Sequence, residues 1–331
     1  MKALLSHQAG GPETLVLEDV PEPIPGPGEL LVRVRACAIN YPDVLIIEDK
    51  YQFRPERPFA PGGEVAGEVA EVGEGVSGWS VGDRLIAYHG HGGLADMVAV
   101  PVTQAYHLPD RFSDAEAASL LITYATAIHA LTDRGGAREG ERMLVLGAAG
   151  GIGLSAIELG KAFGLHIVAA VSSEDKAAVA RSAGADEALV YPSGALDKDA
   201  SKALAGAFKG AAGPGGFDIV FDPVGGDYAE PALRSLGWEG RYLVIGFPAG
   251  IPKIPLNLTL LKSCDIRGVF WGAFAMREPS ANQAHVDTLF RLWGEGKIGP
   301  RVSATYPLER AGEAIAALRD RKAVGKLVVT L

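Results

Sequence analysis

Apolar residues change their spacing along the chain, and the changes divide it into regions. The first hundred or so residues carry short apolar runs in period-two alternation, cut by turn residues. ETLVLEDV and LLVRVRA flank the breaker PEPIPGPGE, and in the second run Val32 and Val34 alternate with Arg33 and Arg35, as in a half-buried strand. Pro61–Gly82 sets valines between closely spaced glycines, which predicts a strongly bent strand in a small barrel, with a further strand at Asp83–Tyr88. From Ser113 the spacing becomes helical in DAEAASLLITYATAIHALTD, with Ser113 as N-cap, Glu116 three residues on, and Gly135-Gly136 as the stop. Beyond it, apolar runs at Met143–Leu146, Leu165–Val171, Glu187–Tyr191, Phe217–Asp222 and Gly240–Gly246 are separated by helical or loop stretches. That alternation predicts an α/β region, a doubly wound parallel sheet with helices on both faces.

The first strand of that region runs into clustered glycines and then a helix: MLVLGAAGGIGLS at Met143–Ser155, followed by helical residues to Phe163. Such a turn lets the backbone approach a pyrophosphate, whose charge then sits on free N–H groups at the positive end of the helix. The Ala148, Gly150, Gly153 series departs from the standard dinucleotide fingerprint by the alanine in first place. The second strand ends at Val171, where an acidic residue would hydrogen-bond the adenosine ribose of NAD. Here Ser172, Ser173 and Lys176 follow instead, two hydroxyls and an ammonium that suit a 2′-phosphate, with Glu174 and Asp175 diluting the positive charge. NADPH is the expected cofactor, although SSEDK also reads as a helix cap, and the two roles are compatible.

A chain of 331 residues with 48% hydrophobic content is long enough for two domains, each with a core. A net charge of −9 with scattered basic residues argues against nucleic acid or an anionic membrane as partner. No apolar run approaches the ~20 residues that span a bilayer, and MKALLSHQAG lacks a signal-peptide core, so a cytoplasmic location is expected. The two cysteines, Cys37 and Cys264, exclude a disulfide framework and a four-cysteine zinc site.

Seven short motifs occur in order: Asn40-Tyr-Pro-Asp43, Pro61-Gly-Gly-Glu-Val-Ala-Gly67, Val81-Gly-Asp-Arg84, Gly147–Gly153, Phe221-Asp-Pro-Val-Gly-Gly226, Gly240-Arg-Tyr-Leu-Val-Ile-Gly246 and Gly325-Lys326. Together they make the chain resemble the zinc-free medium-chain dehydrogenases/reductases of the quinone oxidoreductase (zeta-crystallin-like) family. The resemblance implies a GroES-like β-barrel catalytic domain over residues 1–122, a Rossmann NADPH-binding domain over 123–264, and a return to the catalytic domain over 265–331. It also implies a cofactor in the interdomain cleft and a homodimer, with Ser263–Val269 as the edge strand that pairs between subunits.

In zinc-dependent relatives the position of Asn40 is a cysteine and that of Gly63 a histidine, so the resemblance implies no metal at that site. His89-Gly-His91 is the other metal-like pair; without a third ligand it reads as a solvated loop, and Cys37 reads as a small buried residue. Without a Lewis acid, the acceptor must be reactive by itself. A quinone or α,β-unsaturated carbonyl takes hydride at carbon while charge builds on an oxygen that a donor can stabilise. The resemblance implies Asn40 and Tyr51 as catalytic residues, Asn40 donating through its amide to substrate or cofactor and Tyr51 giving a hydrogen bond or a proton. It implies cofactor contacts from Asn40, Thr123, Gly150, Gly151, Ile152, Ser172, Lys176, Tyr191, Gly246, Phe247, Phe270, Trp271 and Arg321. A second tyrosine common in quinone reductases is replaced by Leu45, and Tyr41 lies nearby. Two alternatives stand beside this reading: a 2-enoyl thioester (enoyl-CoA) or alkenal double-bond reductase, with Lys50, Arg54 and Arg57 at the mouth of its channel, and a non-catalytic NADPH-binding protein.

Overall fold

The structure is a computed structural model that describes residues 1–331. Two compact units divide the chain: one comprises 1–122 and 300–331, the other 123–299.

The first unit is built on the strand Glu29–Ile39, which pairs with three others: Glu64–Val72, Met97–Pro101 and Lys326–Thr330. Its sheet runs in the order Val302–Pro307, Lys326–Thr330, Glu29–Ile39, Glu64–Val72, Arg84–Tyr88, Ala105–His107. Register shifts between Leu31 and Val32 and between Val34 and Ala36 bend the pairing with Glu64–Val72, which is how a sheet curls around a core. A glycine is required at position 67, because a Cβ there would lie 2.1 Å from the Arg33 carbonyl oxygen across the pair. Leu30, Val32, Val34, Leu85, Leu94 and Ile315 fill the interior, joined by Leu327 and Val329 from the last strand. The chain's two ends thus share one core.

The second unit holds a six-stranded, all-parallel sheet in the order Glu187–Val190, His166–Val171, Arg142–Leu146, Phe217–Asp222, Leu236–Val244, Asp265–Gly268. The order reverses direction between Arg142–Leu146 and Phe217–Asp222, the arrangement in which ligands bind beyond the carboxyl ends of the strands. Right-handed crossovers in that order put helices on both faces. Met143–Leu146 and Ile167–Ala170 are completely buried, which explains their uninterrupted apolar runs.

Three expectations change. Residues 265–299 belong to the second unit, not to the catalytic domain: Asp265–Gly268 is hydrogen-bonded to Arg241–Val244 as the edge of the parallel sheet, and the chain returns at Pro300. The strand expected at Gly240–Gly246 spans Leu236–Val244, because the pairing with Phe217–Asp222 begins at Leu236 and passes through a bulge that takes up Gly237 to Gly240. The segment after Ser113 is not one regular helix. Ser113 accepts the Glu116 N–H as foreseen, but π-turns at Leu121–Ala125 and Ala130–Arg134 interrupt the α-helical path.

Candidate active site

In the first unit the polar residues gather around Asn40, at the end of the strand Glu29–Ile39 and the start of the helix Tyr41–Ile47. Lys326 Nζ donates to Asn40 Oδ1 at 2.5 Å and lies 3.4 Å from Glu64 Oε2. Asn40 Nδ2 donates to Glu64 Oε2 at 2.9 Å and to the Ala38 carbonyl at 3.2 Å, and Glu64 Oε1 accepts the Ile122 N–H. Asp43 accepts the backbone N–H groups of Asn40 and Gly62 on its two oxygens. All four side chains are buried. Burial raises the Glu64 carboxyl above its ordinary range against the pull of Lys326, and it pushes Asp43 up to about 6.

This geometry corrects the role expected of Asn40. Both amide hydrogens are committed within the unit and the amide oxygen is held by an ammonium, so Asn40 has no donor left for a substrate or cofactor oxygen. It anchors the start of the helix instead. Tyr51 lies beyond the end of that helix, half-buried, with its ring against the core and its hydroxyl interacting with that of Tyr88. Burial, then the Asp43 charge, raises its pKa, so its phenol keeps its proton at neutral pH. Leu45 and Tyr41 are partly buried on the same helix.

The residues present do not fit a catalytic zinc. Asn40 and Gly63 occupy the two positions at issue, and no group of three or more His, Cys, Asp or Glu side chains converges to hold a metal ion. Gly63 is itself confined, since a Cβ would lie 3.0 Å from the Gly90 carbonyl oxygen. His89 and His91 are half-buried rather than in a fully solvated loop: the His91 ring packs near Phe53 and Phe59 at centroid distances of 5.6 and 5.8 Å, and His89 Nε2 and His91 Nδ1 are buried without partners. Burial, with His91 beside it, lowers His89 to about 4 and keeps it neutral. Cys37 is completely buried, and burial raises its thiol pKa. Arg57, considered for the mouth of a thioester channel, is committed to Asp49, the Ile47 carbonyl and Ser6.

In the second unit the expected cofactor residues fall at the carboxyl ends of the parallel strands. Gly147 takes the left-handed conformation (φ 57°), so the sharp turn is made one residue before Ala148, whose side chain is buried. Gly150 caps the helix Gly151–Ala162, with Gly151 and Ile152 in its first turn, and a Cβ on Gly153 would lie 2.5 Å from the Gly147 carbonyl oxygen. The free N–H groups of that first turn are the donors a pyrophosphate requires. One strand over, Ser173 caps the next helix and Lys176 Nζ lies 3.1 Å from Ser172 Oγ, so hydroxyl and ammonium converge just past Val171. Thr123 is buried at the start of the unit with its carbonyl on Ser155 Oγ. Tyr191 is buried against Tyr228, its N–H on the Val171 carbonyl. Gly246 follows the strand Leu236–Val244, and Phe247 and Phe270 are exposed. Arg321 belongs to the first unit, at a left-handed position.

Trp271 is a correction: its ring is buried and its indole N–H donates to Asn282 Oδ1 at 2.7 Å, so it belongs to the packing of the helices Trp271–Arg277 and Pro279–Gly294. Sequence reasoning also missed Asp222. It takes the N–H groups of Val224 and Gly225 and the Tyr242 hydroxyl, and so shapes the loop after its strand. The signal was present in Phe221-Asp-Pro-Val-Gly-Gly226, as it was for Lys326 in Gly325-Lys326.

Comparisons with known proteins agree with both units. The alcohol dehydrogenase GroES-like domain matches residues 26–110, and the zinc-binding dehydrogenase domain matches residues 151–286. The chain is 35% identical over 320 residues to quinone oxidoreductase-like protein 2 of Bos taurus, covering 96% of this chain and 89% of that protein. Among solved structures, mycobacterial Rv1454c complexed with NADPH superposes with a TM-score of 0.93 at 30% identity, covering 100% of both chains. Escherichia coli quinone oxidoreductase complexed with NADPH gives a TM-score of 0.91 at 26% identity, again over 100% of both.

Lys326→Met would leave Glu64 charged and unpaired in the interior, and is expected to cost roughly 3–5 kcal/mol in urea unfolding. The double variant with Glu64→Gln should recover a large part of that; a neutral single variant would contradict the ion pair's role. The pH dependence follows from Asp43. Because its folded-state pKa is raised from 3.8 to about 6, the folded chain holds a proton that the unfolded chain releases between those values. Its contribution to stability is present below the lower value and is lost as pH rises through the higher one. The difference in unfolding free energy between wild type and Asp43→Asn should therefore shrink from about pH 4 to pH 6 and level off above; a difference that grows with pH would refute the assignment.

Proposed function

The chain belongs to the quinone oxidoreductase family of the medium-chain dehydrogenases/reductases, and from that membership we propose a metal-independent, NADPH-dependent reductase of quinones or similar conjugated carbonyls. The observation that carries this reading is the network of Asn40, Glu64 and Lys326, which fills with amide, carboxylate and ammonium the place where a zinc would need thiolate and imidazole.

NADPH, when bound, supplies the hydride. The N–H groups of the first turn of Gly151–Ala162 take the pyrophosphate charge, with Gly147 and Gly153 keeping the turn tight enough for close approach. Ser172 and Lys176 take the 2′-phosphate, and apolar Val171 leaves no carboxylate in the place that would repel it. On the acceptor, charge builds on the carbonyl oxygen as carbon is reduced. Tyr51, kept protonated by burial and by Asp43, donates a hydrogen bond and then a proton to that oxygen. Asn40, held from both sides, fixes the start of the helix that leads to Tyr51 and acts as a positioning residue. The commitment of Arg57 to Asp49 favours a small conjugated carbonyl over a long anionic thioester.

We propose that the protein is a homodimer. Asp265–Gly268 is the open edge of the parallel sheet, and Ile251, Leu256 and Leu260 beside it in sequence are exposed, a combination that a second copy would cover. No helix of the chain is long and apolar enough to cross a membrane. Sedimentation equilibrium should give a dimer for the wild type and a monomer for Leu260→Asp; a monomeric wild type would overturn the assignment.

The functional reading is tested by NADPH oxidation with 1,2- and 1,4-quinones, 2-alkenals and crotonyl-CoA in parallel. Quinone or alkenal turnover is expected, falling about 100-fold in kcat for Tyr51→Phe. Lys176→Ala should raise KM for NADPH about tenfold or more and leave NADH unchanged. A strong preference for the thioester, or no turnover with any acceptor, would refute the proposal, and an unimpaired Tyr51→Phe would transfer proton donation to solvent.

A further inference from the structure

The second unit has a cavity of about 600 Å³ that plays no part in the proposed chemistry. Gly213 to Gly216, just before the strand Phe217–Asp222, and Ser235 to Gly237, where Leu236–Val244 begins, form part of its wall. The strands are parallel, so the cavity lies at the amino ends of the sheet, opposite to the end that carries Gly147–Gly153.

Three cations line it, Lys209, Arg234 and Lys262, and no carboxylate does. In a chain with a net charge of −9, that sign is against the average. They are close enough to act on one another: burial first, then the charges of Lys209 and Arg234, lower the Lys262 pKa. Glu230 anchors Arg234 through Nε and Nη2, and the Leu236 carbonyl holds Lys262 Nζ, so two of the three cations are fixed in place before any ligand arrives. The helix Lys198–Ala212 ends here, and its carboxyl terminus contributes about half a negative charge, which the ammonium groups of Lys209 and Lys262 outweigh even with the Arg234 charge met by Glu230. Two glycines of its lining meet closely: a Cβ on Gly216 would lie 2.4 Å from the Gly237 nitrogen. At the rim, Trp238 is 71% exposed, an indole in water with an apolar face to offer, beside Leu261.

We propose that this cavity binds a phosphorylated ligand carrying a flat ring, of the nucleoside monophosphate class, with the phosphate on Lys209, Arg234 and Lys262 and the ring on Trp238. Ammonium and guanidinium groups recognise phosphate, and an exposed indole stacks a base without requiring a particular sequence of donors. The site is separate from the cofactor turn, and the ligand would bind to the same protein that carries NADPH.

Calorimetric titration of the NADP⁺-saturated protein, in which the adenosine-binding end of the cofactor site is closed, tests this with AMP, inorganic phosphate and adenosine as probes. AMP should bind at least about tenfold more tightly than either phosphate or adenosine alone. The Lys209→Met/Lys262→Met variant should weaken AMP by about tenfold or more, and Trp238→Ala should weaken AMP while leaving phosphate unchanged. NADPH affinity, the control for folding, should be the same in all variants. The proposal is overturned by the absence of saturable heat with AMP at millimolar concentration, by AMP binding that ignores the lysine substitutions, or by phosphate binding as tightly as AMP. These outcomes concern the amino ends of the sheet only and leave the reductase reading as it stands.

Discussion

A buried ammonium is the constraint around which the first unit is arranged. Removing a lysine from water costs several kcal/mol unless opposite charge and hydrogen-bond acceptors meet it, and Lys326 is met by Asn40 and Glu64 together. The bond to Asn40 joins residues 286 positions apart, so the polar centre exists only when the last strand has docked beside Glu29–Ile39. The same bond fixes which way the Asn40 amide faces: oxygen to the ammonium, nitrogen to Glu64 and the Ala38 carbonyl. Asp43 then ties that corner to Gly62. Folding of the unit and construction of its chemistry are one event.

The second unit depends on a different economy, in which backbone does what side chains do in the first. Its inner strands are buried on both faces, and tight turns stand at their carboxyl ends: a left-handed Gly147, a capping Gly150, a Gly153 that admits no Cβ, and the Asp222 loop. The Ser172 and Lys176 pair adds a side-chain ammonium just past Val171, where we propose that the 2′-phosphate is held.

Much of this was legible from periodicity and turns. The strands at Arg142–Leu146, His166–Val171 and Phe217–Asp222 were visible because complete burial leaves uninterrupted apolar runs, and Ser113 and the 172–173 serines announced their caps. The start of Leu236–Val244 was hidden because Gly237, Glu239 and Gly240 look like a turn, and in a sheet a bulge can absorb them. Asp265–Gly268 was assigned to the wrong unit because a four-residue edge strand has too little pattern to declare its partner. The role of Asn40 was misjudged for a deeper reason. Whether an amide is free to donate depends on Glu64 and Lys326, and their convergence is a property of the tertiary fold that no local window contains. Trp271 failed similarly, since its hydrogen bond to Asn282 is visible only once two helices are packed.

We propose that the ammonium, carboxylate and amide network of Lys326, Glu64 and Asn40 stands where a zinc would need thiolate and imidazole, and that reduction proceeds without a metal. The most direct test is to dialyse the purified protein against 1,10-phenanthroline and EDTA, measure bound zinc, and assay NADPH oxidation with a 1,4-quinone before and after. Zinc far below one ion per chain and the same rate in both assays are expected. Loss of activity on chelation, with recovery on adding zinc, would contradict it.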